Sequence, residues 1–311
     1  MKIVVTGATG FIGRPLCMAF LEADHAVTVL SRDANKARGK LGIKVRSLTW
    51  GADASEEWKQ AVAEADVVVH LAGEGVGARR WTPEFKETLR ASRVETTRAL
   101  VEAMRGSKNQ PGALISASAV GYYGDRGDET LTEESPPGSD FLAELGTAWE
   151  AEAQKAEAFG ARVARMRLGI VLGGGGALER MLYPFPALPF SPWKLGLGGP
   201  LGSGRQWMSW VHLADAVGMF FWAATNARVQ GAVNVTAPNP VTNAEFSRAL
   251  GRALHRPAWL PLPGFALKAI VGEFAETLLG GQKALPTVAQ KLGYAFQFSD
   301  IDTALRSVLQ K

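Results

Sequence analysis

Short β-branched runs alternate with longer stretches of helical periodicity over the first 170 residues. Ile3-Val4-Val5 opens the chain, as a strand buried on both faces requires. Glycines follow, then apolar positions at helical spacing (Phe11, Ile12, Leu16, Phe20, Leu21). The pattern predicts further strands at 26–30, 44–48, 66–71, 113–117 and 162–167, with helices between them, notably over 83–105 and 141–159. Strand-helix alternation of this kind implies an α/β fold, a Rossmann-type doubly wound parallel sheet covered by helices. From Gly173 the texture changes. Gly173–Gly176, the Pro/aromatic stretch Tyr183–Trp193 and Gly196–Gly204 read as loops or lids, and a strand at 232–235 precedes several helical stretches. The expected division is a cofactor-binding Rossmann domain over 1–172, to which parts of 205–235 return. Lid loops and a smaller, mostly helical substrate region make up 173–311.

The first turn carries the clearest chemistry. Thr6-Gly7-Ala8-Thr9-Gly10-Phe11-Ile12-Gly13 sits between strand and helix, where free N–H groups and the positive end of the helix dipole receive a pyrophosphate. Gly7 would permit the tight turn, Gly10 a close approach to phosphate and Gly13 close packing of helix on strand; Thr9 belongs to the same turn. Strand two ends in Ser31-Arg32-Asp33. The Arg32 guanidinium suits a ribose 2′-phosphate, which points to NADP(H), whereas Asp33 keeps NAD open and also reads as a helix N-cap. Strand four ends in His70-Leu71-Ala72-Gly73-Glu74, where small residues let a cofactor lie against backbone. Strand five ends in Ser116-Ala117-Ser118, with hydroxyls near the expected nicotinamide position.

Composition narrows the classes. With 311 residues, 47% of them hydrophobic, the chain can build one large or two modest domains. One cysteine, Cys17, excludes an intramolecular disulfide framework and a cysteine metal cluster. No apolar run is long enough to span a bilayer and the N-terminus reads as a strand, so a cytoplasmic protein is expected. The net charge of +4, without a dense basic run, suits phosphorylated small molecules. A small-molecule substrate is therefore expected, with neither nucleic acid nor membrane as partner, and a homodimer is left open.

TGATGFIG, HLAG, SAS followed by Tyr122-Tyr123-Gly124, and SWVHLADA together resemble the extended short-chain dehydrogenase/reductases. AGEGVGARRWTPEFKETLRASRVETTRAL, RLGIVLGGGGAL, LGLGGPLGSGRQWMSWVHLADAV and the LPLPGFAL…GEFAETLLGGQKALP tail are similar to an atypical subgroup, the epimerase family proteins, related to nucleotide-sugar epimerases. The resemblance covers nearly the whole chain. It implies NADP binding, a substrate region toward the C-terminus, and cofactor contacts at Gly10, Phe11, Ile12, Ser31, Arg32, Leu71, Ala72, Glu87, Arg93 and Val171.

The same resemblance exposes a gap. Ordinary members carry a Tyr-x-x-x-Lys pair on the helix after strand five, the Tyr relaying the proton that accompanies hydride transfer. Here Phe141 and Leu145 fall at those places, and Lys155 comes two turns too late. Ser118, Tyr122 and Tyr123 are the candidate catalytic residues, with loop packing as the plainer reading of each tyrosine; Glu74 and Glu144 are alternative acids. On the substrate side the candidates are Arg80 and Trp81, beside Arg79, together with Gln206 and Trp210. His212 and Asp215 lack a metal partner at usual spacing, so no metal site is expected. The leading reading is an NADP(H)-binding oxidoreductase or epimerase-like protein acting on a polar small molecule; the alternative is a non-catalytic NADP(H)-sensing regulator. The segment between Met181 and Lys194, stiffened by four prolines, is expected to form a lid or a dimer contact.

Overall fold

In the computed structural model, residues 1–42, 44–51, 54–106, 112–183 and 190–310 are described. The elements run β1 (Lys2–Thr6), α1 (Gly13–Glu22), β2 (Ala26–Ser31), α2 (Ala34–Leu41), β3 (Arg46–Thr49), α3 (Glu57–Ala63), β4 (Val67–His70), α4 (Pro83–Arg105) and β5 (Ala113–Ala119). After a 3₁₀ turn (Val120–Tyr123) come β6 (Thr130–Leu131), α5 (Phe141–Gln154), a second 3₁₀ turn (Lys155–Phe159), β7 (Arg162–Leu168), β8 (Ile170–Gly173) and α6 (Gly176–Leu182). The remainder comprises β9 (Trp207–Met208), β10 (Trp210–His212), α7 (Leu213–Thr225), β11 (Gly231–Val235), β12 (Val241–Thr242), α8 (Asn243–Leu254), α9 (Gly264–Val271), α10 (Phe274–Leu279), β13 (Lys283–Ala284), α11 (Thr287–Lys291) and α12 (Ile301–Leu309).

Seven strands pair in the order β11-β7-β5-β4-β1-β2-β3, all parallel. Alternation along each strand splits the side chains between two cores. Ile3, Val5, Val29 and Ile115 pack with Leu16 and Phe20 of α1 and Met219 and Phe220 of α7. Val4, Leu30, Val68 and Leu114 pack on the other face with Trp58 of α3 and Leu100, Val101 and Met104 of α4. A third core, with Leu172, Leu178, Trp210, Phe246, Leu250 and Leu305, joins β8, β10, α6, α8 and α12.

Local chemistry sets the long helix boundaries. Thr82 accepts from the Phe85 N–H, Pro83 occupies the first turn and Gly106 closes α4, which spans the residues its periodicity predicts. Asp140 caps α5 by accepting from the Ala143 N–H. Several boundaries differ from the sequence pattern. The first helix starts at Gly13, because residues through Ile12 form the turn; strand three begins at Arg46, two residues late; the helix expected over 141–159 tightens into 3₁₀ geometry after Gln154; and the glycine run at 173–176 links a strand to a helix instead of forming a lid. Of the segment between Met181 and Lys194, residues 184–189 lie outside the described residues.

Candidate functional site

Strand order reverses about β1, with β4 on one side and β2 on the other, and ligands of open α/β sheets bind beyond the carboxyl ends at such a point. A cleft of about 1040 Å³ lies there, walled by Gly7–Gly10, Ser31, Arg32, Trp50, Leu71–Glu74 and one face of α4. Two glycines of the turn have no room for a side chain. Gly7 has φ +67°, and a Cβ there would sit 2.6 Å from the Leu71 carbonyl carbon. A Cβ on Gly13 would lie 2.3 Å from the Gly7 oxygen, so α1 approaches β1 as closely as it does only because Gly13 is bare. The Gly10 N–H donates to that same oxygen at 2.9 Å, and Thr9 lines the cleft beside it.

A hydrogen-bond chain ties the ends of β1 and β4 together beneath the cleft. Thr6 Oγ1 accepts from the Leu71 and Ala72 N–H groups, both at 3.2 Å, and lies 2.7 Å from His70 Nδ1. Its own proton therefore goes to Nδ1, leaving the ring's other proton on Nε2, toward Thr96 Oγ1 at 3.4 Å. His70 is wholly buried, and that burial, with the Arg93 charge second, pushes its pKa down to about 3. The imidazole is neutral and structural.

At the edge of the cleft the three residues after β2 divide their roles. Asp33 accepts the Lys36 N–H at 2.9 Å, caps α2, and is not among the cleft-lining residues. Ser31 and Arg32 do line it. The only other cation of the lining, Lys59, is paired with Glu56 at 2.7 Å, which leaves Arg32 uncommitted among the described residues. Trp50, just past β3, adds a flat half-buried wall, edge-on to Trp58 at 5.9 Å. The sequence analysis missed it, although an aromatic residue at the carboxyl end of the third strand was a usable signal. The bare turn, the free guanidinium and the aromatic wall fit a phosphorylated dinucleotide.

Other expected cofactor residues stand around this cleft. Arg93 does not line it: its guanidinium donates to the Glu74 carbonyl at 2.8 Å and the Leu89 carbonyl at 3.1 Å, and lies over Trp149. Burial lowers its pKa to about 10, the Glu74 charge opposing, and a Cβ on Gly73 would come within 3.3 Å of it. Arg93 thus braces the Gly73–Glu74 loop. Glu87 is exposed on α4, one turn before Ala91 of the lining. The Phe11 ring fills the space above Gly173–Gly176, where a Cβ on Gly173 would lie 2.7 Å away. Ile12 and Val171 pack against the α1/α7 core. Ser116 is buried, its hydroxyl directed to the Ala117 carbonyl at 3.2 Å.

At the end of β5, Ser118 and Tyr123 are committed to a buried network with Glu150, Arg167 and Asn234. Ser118, 2% exposed, donates to Glu150 Oε1 at 2.7 Å. Arg167 grips Glu150 in a fork, Nε to Oε1 at 2.7 Å and Nη2 to Oε2 at 2.8 Å. Tyr123, fully buried, receives a hydrogen bond from Arg167 and donates to Asn234 Oδ1 at 2.7 Å. Burial pushes its pKa up to about 12 despite the nearby Arg167. Tyr123 is therefore a structural phenol, a correction to its candidacy. Tyr122 is half-buried, its ring 3.6 Å from the Arg167 guanidinium carbon; its hydroxyl takes part in no hydrogen bond among the described residues. Glu150 and Arg167 were missed, although strand 162–168 carries arginines that a buried strand must partner.

The Tyr-x-x-x-Lys positions are apolar in space as well as in sequence. Phe141 meets Trp81 edge-on at 5.1 Å, Trp81 meets Phe274 at 5.4 Å, and Leu145 is buried with Phe85 and Leu89. Lys86 lies over the Phe141 ring and pairs with Glu273 at 2.6 Å, fastening α10 across this corner. Trp81 donates its indole N–H to the Val76 carbonyl, so it is a packing residue here. Around the loop 75–81, Arg79 lies over the Phe85 ring, Arg80 against Gly272 and Arg180 against Gly77, none of them in an ion pair among the described residues. Two substrate candidates are corrected. Trp210 is fully buried, its indole N–H on the Asn239 carbonyl, because its ring completes the third core. Gln206 donates both amide protons to the Leu201 and Leu278 carbonyls and so straps a loop to α10. Asp215 and His212 are also structural: Asp215 accepts from the Gln297 and Phe298 N–H groups, and His212 caps α7 through the Ala214 N–H.

A profile of the NAD dependent epimerase/dehydratase family matches residues 3–236, and one of a domain of unknown function (DUF1731) matches residues 262–308. The chain is 43% identical, over its whole length and 87% of the relative, to the chloroplastic epimerase family protein SDR39U1 homolog of Arabidopsis thaliana. It is 39% identical to the epimerase family protein YfhF of Bacillus subtilis, covering 99% of this chain and 98% of that one. The chloroplastic relative shows that the family is not confined to the cytoplasm. Among solved structures, human epimerase family protein SDR39U1 (isoform 2) with NADPH superimposes with a TM-score of 0.85 at 34% identity, covering both chains fully. UDP-glucuronic acid 4-epimerase from Bacillus cereus, at 18% identity and a TM-score of 0.76, shares the fold. The glycine turn, the sheet order and these matches together establish that the chain belongs to the NAD dependent epimerase/dehydratase family of extended short-chain dehydrogenase/reductases.

Proposed function

We propose that the chain binds NADP(H) in preference to NAD(H) and acts as an oxidoreductase or epimerase-like enzyme on a small polar molecule. The observation that carries the cofactor choice is the split at the end of β2: Arg32 and Ser31 face the cleft, while Asp33 is spent capping α2. The NADPH of the human relative supports the same choice. NADP(H), when bound, supplies hydride transfer; the chain supplies position and protons. Gly7, Gly10 and Gly13 let backbone approach the pyrophosphate, Arg32 takes the 2′-phosphate, and the Thr6–His70 chain fixes the Leu71 and Ala72 backbone. Arg79, Arg80 and Arg180 give a polar or anionic substrate its handle. With Tyr123 and Ser118 sequestered, Tyr122 is the phenol left to move a proton.

The apolar Phe141/Leu145 corner supports a second reading, an NADP(H)-responsive regulator without turnover. One experiment tests for net oxidoreduction. Protein and NADPH are added to a small-molecule cell extract, and loss of the reduced-nicotinamide absorbance is followed. Consumption that needs native protein and falls about 100-fold in Tyr122→Phe supports the enzyme, the size expected of a lost general acid. NADPH binding without consumption excludes net reduction and supports the regulator or a redox-neutral epimerase.

A further inference from the structure

We propose that the face formed by residues 194–198 and 256–270 rests on an anionic lipid surface. From Pro257 to Leu267 the chain carries no charge, and Arg256 and Lys268 flank that run. Its apolar side chains point outward: Trp259 is 65% exposed, Phe265 81%, and Leu260 42%. Leu195 and Leu197, 57% and 48% exposed, lie alongside, because Gly198 bridges Ala258 and its carbonyl accepts the Leu260 N–H. A Cβ on Gly199 would lie 2.1 Å from the Leu260 oxygen, so the two loops form one fixed ridge.

Basic chemistry adjoins the ridge without a break. A hollow of about 520 Å³ is lined by Arg248, Arg252, His255 and Arg256 with Gly251, Pro257 and Ala258, and no acidic residue lines it. Arg252 is committed to Asp302 and Lys268 to Glu276. Arg256 holds the two loops together through the Lys194 carbonyl. Arg248 enters no ion pair among the described residues.

Exposed tryptophan, phenylalanine and leucine beside arginine and lysine are what a bilayer interface selects, apolar groups entering the acyl boundary and cations meeting anionic headgroups. A second copy fits this face poorly, since a two-fold contact would press the same arginines together. No helix among the described residues is long and apolar enough to cross a membrane, so the contact is peripheral. The proposal departs from the expectation, drawn from composition, that no membrane is a partner.

Vesicle co-sedimentation tests it, using the full chain with NADPH and vesicles of phosphatidylcholine alone or with about one-third phosphatidylglycerol. The proposal expects at least about tenfold tighter binding to the anionic vesicles, lost on raising the salt. Trp259→Ser with Phe265→Ser should lower that binding at least about tenfold, and Arg248→Gln about fivefold, with NADPH affinity unchanged as the check on folding. Equal sedimentation with both vesicles, or wild-type binding by the double variant, would overturn it. So would lipid-free dimerisation abolished by Trp259→Ser, which would assign the face to a second copy.

Discussion

Glu150→Gln removes one charge, and almost no volume, from the most buried ion pair among the described residues. Glu150 and Arg167 are 4% and 2% exposed, and the carboxylate takes hydrogen bonds from Ser118, twice from Arg167 and, at 3.4 Å, from Arg165. Neutralising it leaves the Arg167 guanidinium, and the less buried Arg165, without a counter-charge, a change that costs about 3–5 kcal/mol. For 311 residues unfolding cooperatively, an unfolding entropy of about 2.1 cal/mol/K per residue converts that to a drop of about 5–8 °C in Tm. Differential scanning calorimetry with and without NADPH is the assay. Glu150→Leu with Arg167→Met removes the two innermost charges and retains apolar volume, but leaves Arg165, 18% exposed, without its counter-charge, so it should recover only part of the loss. A shift below about 1 °C for Glu150→Gln, or strictly additive losses in the pair, would refute the network as a coupled unit.

Further predictions concern the turn, the buried histidine and the phenols. Gly13→Ala should weaken NADPH binding and lower stability by about 1–3 kcal/mol, since α1 must shift off β1; isothermal titration beside urea unfolding would show both. His70 is protonated in the unfolded chain below about pH 6.5 but in the folded protein only near pH 3. The unfolded state therefore binds the extra proton between those values, and stability should fall by about 1.4 kcal/mol per pH unit on acidification. His70→Asn should reduce that slope in urea titrations at pH 6 and pH 4. Tyr123, raised to about 12 by burial, should resist ionisation through pH 10, and stability should decline between about pH 10 and 12 as unfolding releases its proton. Ultraviolet titration of wild type against Tyr123→Phe reads this directly.

Local signals made most of the cofactor half legible. The β1 turn declared itself through glycines that close contacts at Gly7 and Gly13 require, and α4 through Thr82, Pro83 and Gly106. Asp33 shows how a residue with two local readings was decided: its carboxylate went to the α2 N-terminus, which removed the main argument for NAD. The catalytic corner was harder, because its residues are defined by partners far away in sequence. Tyr123 meets Asn234 across 111 positions and Gln206 meets Leu278 across 72, separations that periodicity cannot see. Trp210 resembled a stacking residue only because the β8–β10 core that buries it was invisible from its neighbours.

The central claim rests on the guanidinium at the end of β2. The most direct measurement is the dissociation constants of NADPH and NADH, by fluorescence titration, for wild type and Arg32→Ala. Loss of a charge-assisted contact to the 2′-phosphate, about 1.5–3 kcal/mol, predicts about 10- to 150-fold weaker NADPH binding with NADH nearly unchanged. Equal weakening of both cofactors, or wild-type protein that binds NADH as tightly as NADPH, would contradict the account.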